Sequence, residues 1–186
     1  SIDEFIVYIN KENISVDSIV NRSIFETNSL FYRIILDLYN KHIPAEEKRG
    51  VPLINYAAFY GSVNIFNYLK MNNTRLTPLL WTFAIHGQNA QIIQTVSEEV
   101  RPVIKKFNYH MMDDQEIETF VVCIEESIKC HHDNITDYIL NNHMENEEIS
   151  PDELCNFGLK YYNFEYIKSE QINESAFFNL CKYDHC

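Results

Sequence analysis

The 186-residue sequence predicts an all-α fold: a solenoid of stacked helix hairpins with capping helices at its N-terminal end. Three observations carry that prediction. Apolar residues recur at helical spacing along almost the whole chain. Only four Gly and five Pro occur, too few for a sandwich or barrel with a turn after every short strand. A unit of helix, glycine and helix also repeats internally. PLINYAAFYGSVNIFNYL begins at Pro52, and PLLWTFAIHGQNAQIIQTV begins at Pro78, 26 residues later. One such hairpin buries too little apolar surface to stand alone, so copies must stack.

The first 25 residues read as two short helices with a break at residues 10–15. Residues 30–39 predict an amphipathic helix, with Leu30, Ile34 and Leu38 in one row, Phe31, Ile35 and Tyr39 in the next, and Asn28 or Ser29 placed to cap it. The polar stretch HIPAEEKRG then divides a lead-in or cap, residues 1–50, from degenerate repeats in residues 51–186.

Within the repeats Leu53 aligns with Leu79, Ala58 with Ala84 and Gly61 with Gly87, while Ile65-Phe66 falls one place out of step with Ile92-Ile93. Pro52 and Pro78 suit a first helical position, which needs no N–H, and Thr77 is placed to cap the second copy. The alanines let a neighbouring helix approach. The glycines suit a left-handed stop, and Trp81 and Phe83 read as core.

Residues 113–129 predict a single helix with Ile117, Phe120, Val121, Ile124 and Ile128 on one face and Asp113 or Asp114 near its positive end. Weaker echoes follow. Asn134, Tyr138 and Ile139 lie 70 residues after Asn64, Tyr68 and Leu69, with His131 in the glycine's place. Phe164, Tyr166 and Ile167 lie 98 residues after Phe66, Tyr68 and Leu69. AFFNLCKYDHC reads as the first helix of a further unit. With no Met before Ser1, a fragment of a longer protein is expected, with more repeats after Cys186.

The charge balance, 15 Lys and Arg against 27 Asp and Glu, gives −12 and a sequence pI near 4.9. That charge repels phosphate backbones, so nucleic acid is not an expected partner. Hydrophobic residues at 46%, with 12 Tyr and 12 Phe, exclude disorder of the whole chain. The longest apolar runs, such as FVVCI, fall far short of the ~20 residues of a membrane span. Five cysteines, an odd number, and no basic-then-apolar leader predict reduced thiols and an intracellular, cytoplasmic protein. The Asn-x-Ser/Thr triplets at Asn13, Asn21, Asn72, Asn134 and Asn173 read as chance products of an Asn-rich chain.

The Pro-Leu, the Ala-Ala of YAAFYG, the glycine and the apolar second helix ending in Tyr68-Leu69 resemble ankyrin repeats, closely only from Val51 to about Thr95. Ile54 and Leu80 stand where that family has His, and the spacing of 26 leaves the projecting β-hairpin fingers mostly absent. More narrowly, LINYAAFYGS, LLWTFAIHG and ESIKCHHDNITDYI are similar to a degenerate ankyrin-type family expanded in parasitic protists. The resemblance implies a helical solenoid for protein–protein contact, with no catalytic residues to carry over. It also implies that the two residues between Ala-Ala and Gly lie on the concave side and touch partners. Here those are Phe59-Tyr60 and Ile85-His86, and by the weaker echo Lys129-Cys130.

Enzyme-like chemistry has thinner support. Thiolate and imidazole suit zinc, and Cys123, Cys130, His131 and His132 cluster in sequence, with His110 and His143 further off. No Cys-x-x-Cys or His-x-x-x-His occurs, and adjacent His131 and His132 would diverge by about 100° on a helix. A Cys–His nucleophile pair would lack its strand-to-helix elbow. The carboxylates of MDDQEIE and MENEEISPDE read as solvated faces rather than a glycosidase pair, and no calcium-loop, phosphate-loop or dinucleotide pattern is present. The expectation is a non-enzymatic module with no catalytic residue, metal, cofactor or small-molecule substrate, and with a protein partner. A structural cap for a downstream repeat array is the alternative, and a metal-dependent enzyme the third reading.

Overall fold

The computed structural model describes residues 1–21, 50–108, 113–118, 120–144 and 149–167, together with residues 178, 181 and 182. The described residues are mostly helical. They fall into two compact units, Ser1–Ile117 and Glu118–Cys186. The helix expected at residues 30–39 lies outside the described residues, as does most of AFFNLCKYDHC.

In the first unit α1 (Ile2–Lys11) opens on a capping box, the Ser1 hydroxyl accepting from the Glu4 N–H while the Glu4 carboxylate reaches back. Among the described residues, 16–21 do not form the expected second lead-in helix. Residues Ile19–Asn21 are a strand, β1, paired antiparallel with β2 (Gly50–Pro52) in the register Ile19 to Pro52. This pairing is long-range, so helical periodicity in the first 25 residues could not report it.

The repeated unit follows as two hairpins. The first is α2 (Leu53–Phe59) with α3 (Val63–Met71), and the second is α4 (Leu80–Gly87) with α5 (Ala90–Glu99). First helix packs on first helix, α2 on α4, and second on second, α3 on α5. Ile54, Ala58, Phe66, Leu69, Leu80, Trp81, Phe83, Ala84, Ile92 and Val96 are almost wholly buried between them. Each of the large side chains contributes about 1.5–3 kcal/mol by leaving water. On the surface Lys70 of α3 pairs with Glu99 of α5. At the other end α1 leans on α3, with Phe5 edge-on to Tyr68 at 6.1 Å.

Two local expectations need correction. Pro52 is the N-cap of α2 rather than its first residue. α4 starts at Leu80 with no side-chain cap, so Thr77 serves only through its carbonyl, which accepts from the Leu80 N–H at 2.9 Å. A two-stranded sheet of β3 (Val103–Asn108) and β4 (Asp113–Glu118) follows α5. Four intervening residues cannot make a parallel crossover, so it is a hairpin. Hence residues 113–118 are strand, not the start of a helix over 113–129, and a β-hairpin is present where such fingers were expected to be mostly missing. Pro102 disfavours helix at the residue before it, and the β-branched Val103-Ile104 favours strand.

The second unit repeats the hairpin as α6 (Val121–Lys129) and α7 (Asp133–His143), with α8 (Pro151–Tyr161) and a 3-10 turn, Phe164–Tyr166, on the other side of α6. The 70-residue echo is the structural register. Ile54 and Ala58 correspond to Ile124 and Ile128, and Leu69 to Ile139, all buried. Ala57 and Phe66 become Ser127 and Thr136, also buried and joined by a hydroxyl–hydroxyl hydrogen bond of 2.7 Å. Ser127→Ala is therefore expected to cost about 1 kcal/mol, because Thr136 keeps only its longer bond to the His132 carbonyl at 3.4 Å, and Ser127→Ala with Thr136→Val is expected to cost less than the sum of Ser127→Ala and Thr136→Val. Urea denaturation of the three variants checks this.

One turn ends most of these helices. Asn13, Gly61, Asn73, His131 and Tyr162 all have φ between 52 and 62°. Across each, the next N–H returns to the carbonyl five residues back: Ile14 to Ile9, Ser62 to Ala57, Thr74 to Leu69, His132 to Ser127 and Asn163 to Gly158, at 2.8–3.2 Å. This is the Schellman stop. His131 does occupy the glycine position of the echo.

The second repeat is different. Its left-handed residue is Gln88, φ 52, and Gly87 is the last residue of α4. α4 is eight residues long where α2 is seven, which accounts for the one-place slip between Ile65-Phe66 and Ile92-Ile93. Gly87 is required for another reason: a Cβ there would run into the carbonyl oxygen of Ala58 and lie 3.1 Å from that of Phe59.

Candidate partner-binding surface

The residues expected to meet a partner in the first unit sit where α2 and α4 end. Gly61, φ 59, turns the chain sharply after α2 and leaves Tyr60 at the tip, 64% exposed. Phe59 is half-buried and central. It lies edge-on to Tyr60 at 5.1 Å, edge-on to the buried Phe83 at 6.3 Å, and stacked on His86 at 5.6 Å. Tyr56, one turn before Tyr60, runs parallel to it at 6.5 Å. Four aromatic rings and one imidazole thus form a continuous patch with a buried root at Phe83 and an open crest at Tyr60. Such a patch can bury a large area on a partner at little entropic cost, because its rings are already fixed by one another.

Ile85 does not belong to this patch. It is fully buried, as are Leu80, Trp81, Phe83 and Ala84 of the same helix. α4 is apolar nearly all round, as a buried helix is; Thr82 and His86 are its partly exposed side chains. Ile85, expected to face outward beside His86, is instead part of the core.

In the second unit Lys129 is partly exposed and held by both carboxylate oxygens of Glu126, at 2.9 and 3.1 Å. An i, i+3 pair of this kind contributes a few tenths of a kcal/mol. Next to it, burial first and then the charge of Glu126 push the Cys130 thiol up to about 12. Raised this far, it stays protonated at neutral pH and is a weak nucleophile there. The sign for stability follows: the contribution is fully present below about pH 9 and is lost as the pH rises toward 12. Iodoacetamide at pH 8 is expected to alkylate the exposed Cys181 at least about ten-fold faster than Cys130, as followed by peptide mass spectrometry.

The other members of the cysteine and histidine set are placed by packing. Cys123 is buried in α6, and His132 is the N-cap residue of α7. His143 stacks on Phe120 at 4.5 Å and stands edge-on to Tyr138 at 5.5 Å. His110 lies outside the described residues.

The sequence reading missed two features. Glu125 accepts from Lys160 at 2.6 Å and from Tyr161 at 2.7 Å. Burial works against the Lys160 ammonium, but Glu125 outweighs it and holds it above the ordinary lysine range, while burial and the same carboxylate push Tyr161 up to about 12. The second feature is an exposed aromatic pair, Tyr162 and Phe164. The left-handed Tyr162 precedes the 3-10 turn just as Gly61 precedes α3, so the register is 101 residues, not 98, and Phe164 is not the counterpart of the buried Phe66.

No family model matches the chain, and no curated protein or solved structure shows significant similarity to it. Among the described residues, no helix is long and apolar enough to cross a membrane.

Proposed function

We propose that the chain is a non-enzymatic protein-interaction module made of degenerate, ankyrin-like helical hairpins, within a longer intracellular protein. The observation that carries this reading is the aromatic patch at Tyr56, Phe59, Tyr60 and His86, rooted on the buried Phe83 and open at Tyr60. Binding energy concentrates in such rigid aromatic anchors rather than in total area. The ankyrin likeness adds that the ends of first helices face partners, which is where Phe59, Tyr60 and His86 lie.

A photo-crosslinking residue placed at Tyr60 in cells tests it, with the exposed Gln94 of α5 as the control position. The reading expects a discrete protein adduct from position 60 that is absent from position 94. Equal adducts from both positions, or none from either, would reject it.

The cap reading has less behind it. A terminal cap presents a polar outer side, whereas Val7 and Tyr8 of α1 are 65% and 58% exposed.

A further inference from the structure

A second surface stands in the unit of residues 118–186. That stretch holds 14 Asp and Glu against 4 Lys and Arg, a formal charge of −10, whereas residues 1–117 hold 13 against 11. Nearly all of the chain's net negative charge, −10 of −12, is therefore on the smaller unit. Where α8 ends, Tyr162 is held at φ 58, a backbone conformation that glycine takes freely and a bulky aromatic takes at a cost. Tyr162 is nevertheless 50% exposed, and Phe164, two residues on, is 67% exposed.

Asn163 between them is buried and tied down. Its N–H donates to the Gly158 carbonyl at 2.9 Å, and its Nδ2 donates to the Ile128 carbonyl at 3.1 Å and to Asp133 at 2.8 Å. Its Oδ1 accepts from the Glu165 N–H at 3.3 Å. The anchored asparagine fixes the turn, so the rings on either side are ordered before any partner arrives. Carboxylates belong to the same turn and its supports: Glu165 follows Phe164 and is exposed, Asp133 holds Asn163, and the charges of Asp133 and of the exposed Asp137 reach the Tyr166 hydroxyl.

We propose that this turn docks a basic segment of a partner protein, with Arg or Lys side chains lying across the Tyr162 and Phe164 rings and reaching the carboxylates of Asp137 and Glu165. Ring faces are negative and attract cations. The −10 charge of the unit draws a basic segment in and repels an acidic one. The flat guanidinium of Arg stacks on a ring where the Lys ammonium cannot. This surface and the patch at Tyr60 belong to different units, and either reading can fail without the other.

The test uses the full chain and a fluorescein-labelled hexa-arginine peptide, read by anisotropy at about 0.15 M salt. Tyr162→Gly removes the ring while suiting the left-handed backbone, so its thermal midpoint should hold or rise. Tyr162→Gly with Phe164→Ala is expected to weaken peptide binding at least about ten-fold. Asp137→Asn with Glu165→Gln is expected to weaken it and flatten its salt dependence without disturbing the turn. Hexa-lysine should bind less tightly than hexa-arginine. The proposal is overturned if the two-ring variant binds as the parent does, if hexa-glutamate binds equally well, or if the parent shows no salt-dependent binding at all.

Discussion

Gly87→Ala is expected to destabilise the first unit by about 3 kcal/mol or more, because the obstacle is backbone and cannot swing aside. The added Cβ meets the Ala58 carbonyl where α4 packs on α2, so the two hairpins must move apart to admit it. Gly61→Ala should cost less, about 1–2 kcal/mol, since its penalty is a left-handed φ of 59° and a 3.1 Å approach to the Gly87 carbonyl. Gln88→Gly should instead stabilise by up to about 1 kcal/mol, because Gln88 is the residue in this repeat at positive φ. Urea denaturation of the three variants gives this order directly. A mild effect at Gly87 together with a severe one at Gln88 would reverse the assignment of roles.

Trp81→Ala is the second large effect, at about 3–5 kcal/mol. Trp81 is 1% exposed in the first turn of α4, and its indole N–H donates to the Val100 carbonyl at 2.8 Å, fastening α4 to the end of α5. Trp81→Phe keeps most of the volume but leaves that carbonyl without its donor, and should cost about 1–3 kcal/mol. Trp81 is the sole tryptophan. Wild-type unfolding is therefore expected to show a red shift of its emission coincident with the loss of helical circular dichroism. The variants, which lack the fluorophore, are compared by circular dichroism alone.

The core of the first unit was legible because its signals are local. Ala58 and Ala84 are small, Leu69 and Ile92 recur at helical spacing, and Gly61 marks a turn that backbone sterics require. Gly87 misled because a glycine near a helix end reads as a left-handed stop, while its role, close approach to Ala58, depends on a helix 29 positions earlier in the sequence. The strands were illegible for a related reason. Ile117, Phe120, Val121, Ile124 and Ile128 fall at helical spacing straight across the boundary between β4 and α6, and strand pairing with residues 103–108 leaves no periodic mark on residues 113–118.

Of the candidate site, Phe59, Tyr60 and His86 came from the ankyrin likeness, and the structure places them in one patch. Ile85 failed because an apolar residue beside the last turn of a helix can face either way, and α4 is covered on nearly every side. Tyr162 could have been noticed as Tyr-Asn following a helix in the same position as Gly-Ser after α2. Its exposure could not, since that depends on the buried anchoring of Asn163 to Ile128 and Asp133.

Native-state amide exchange across residues 53–99 is the most direct measurement of whether the two hairpins of the first unit stand only together. Interdependent hairpins predict that the slowest amides of α2, α3, α4 and α5 open in one cooperative step with one free energy and one urea dependence. Separate openings, with α2 and α3 exchanging while α4 and α5 stay protected or the reverse, would contradict it.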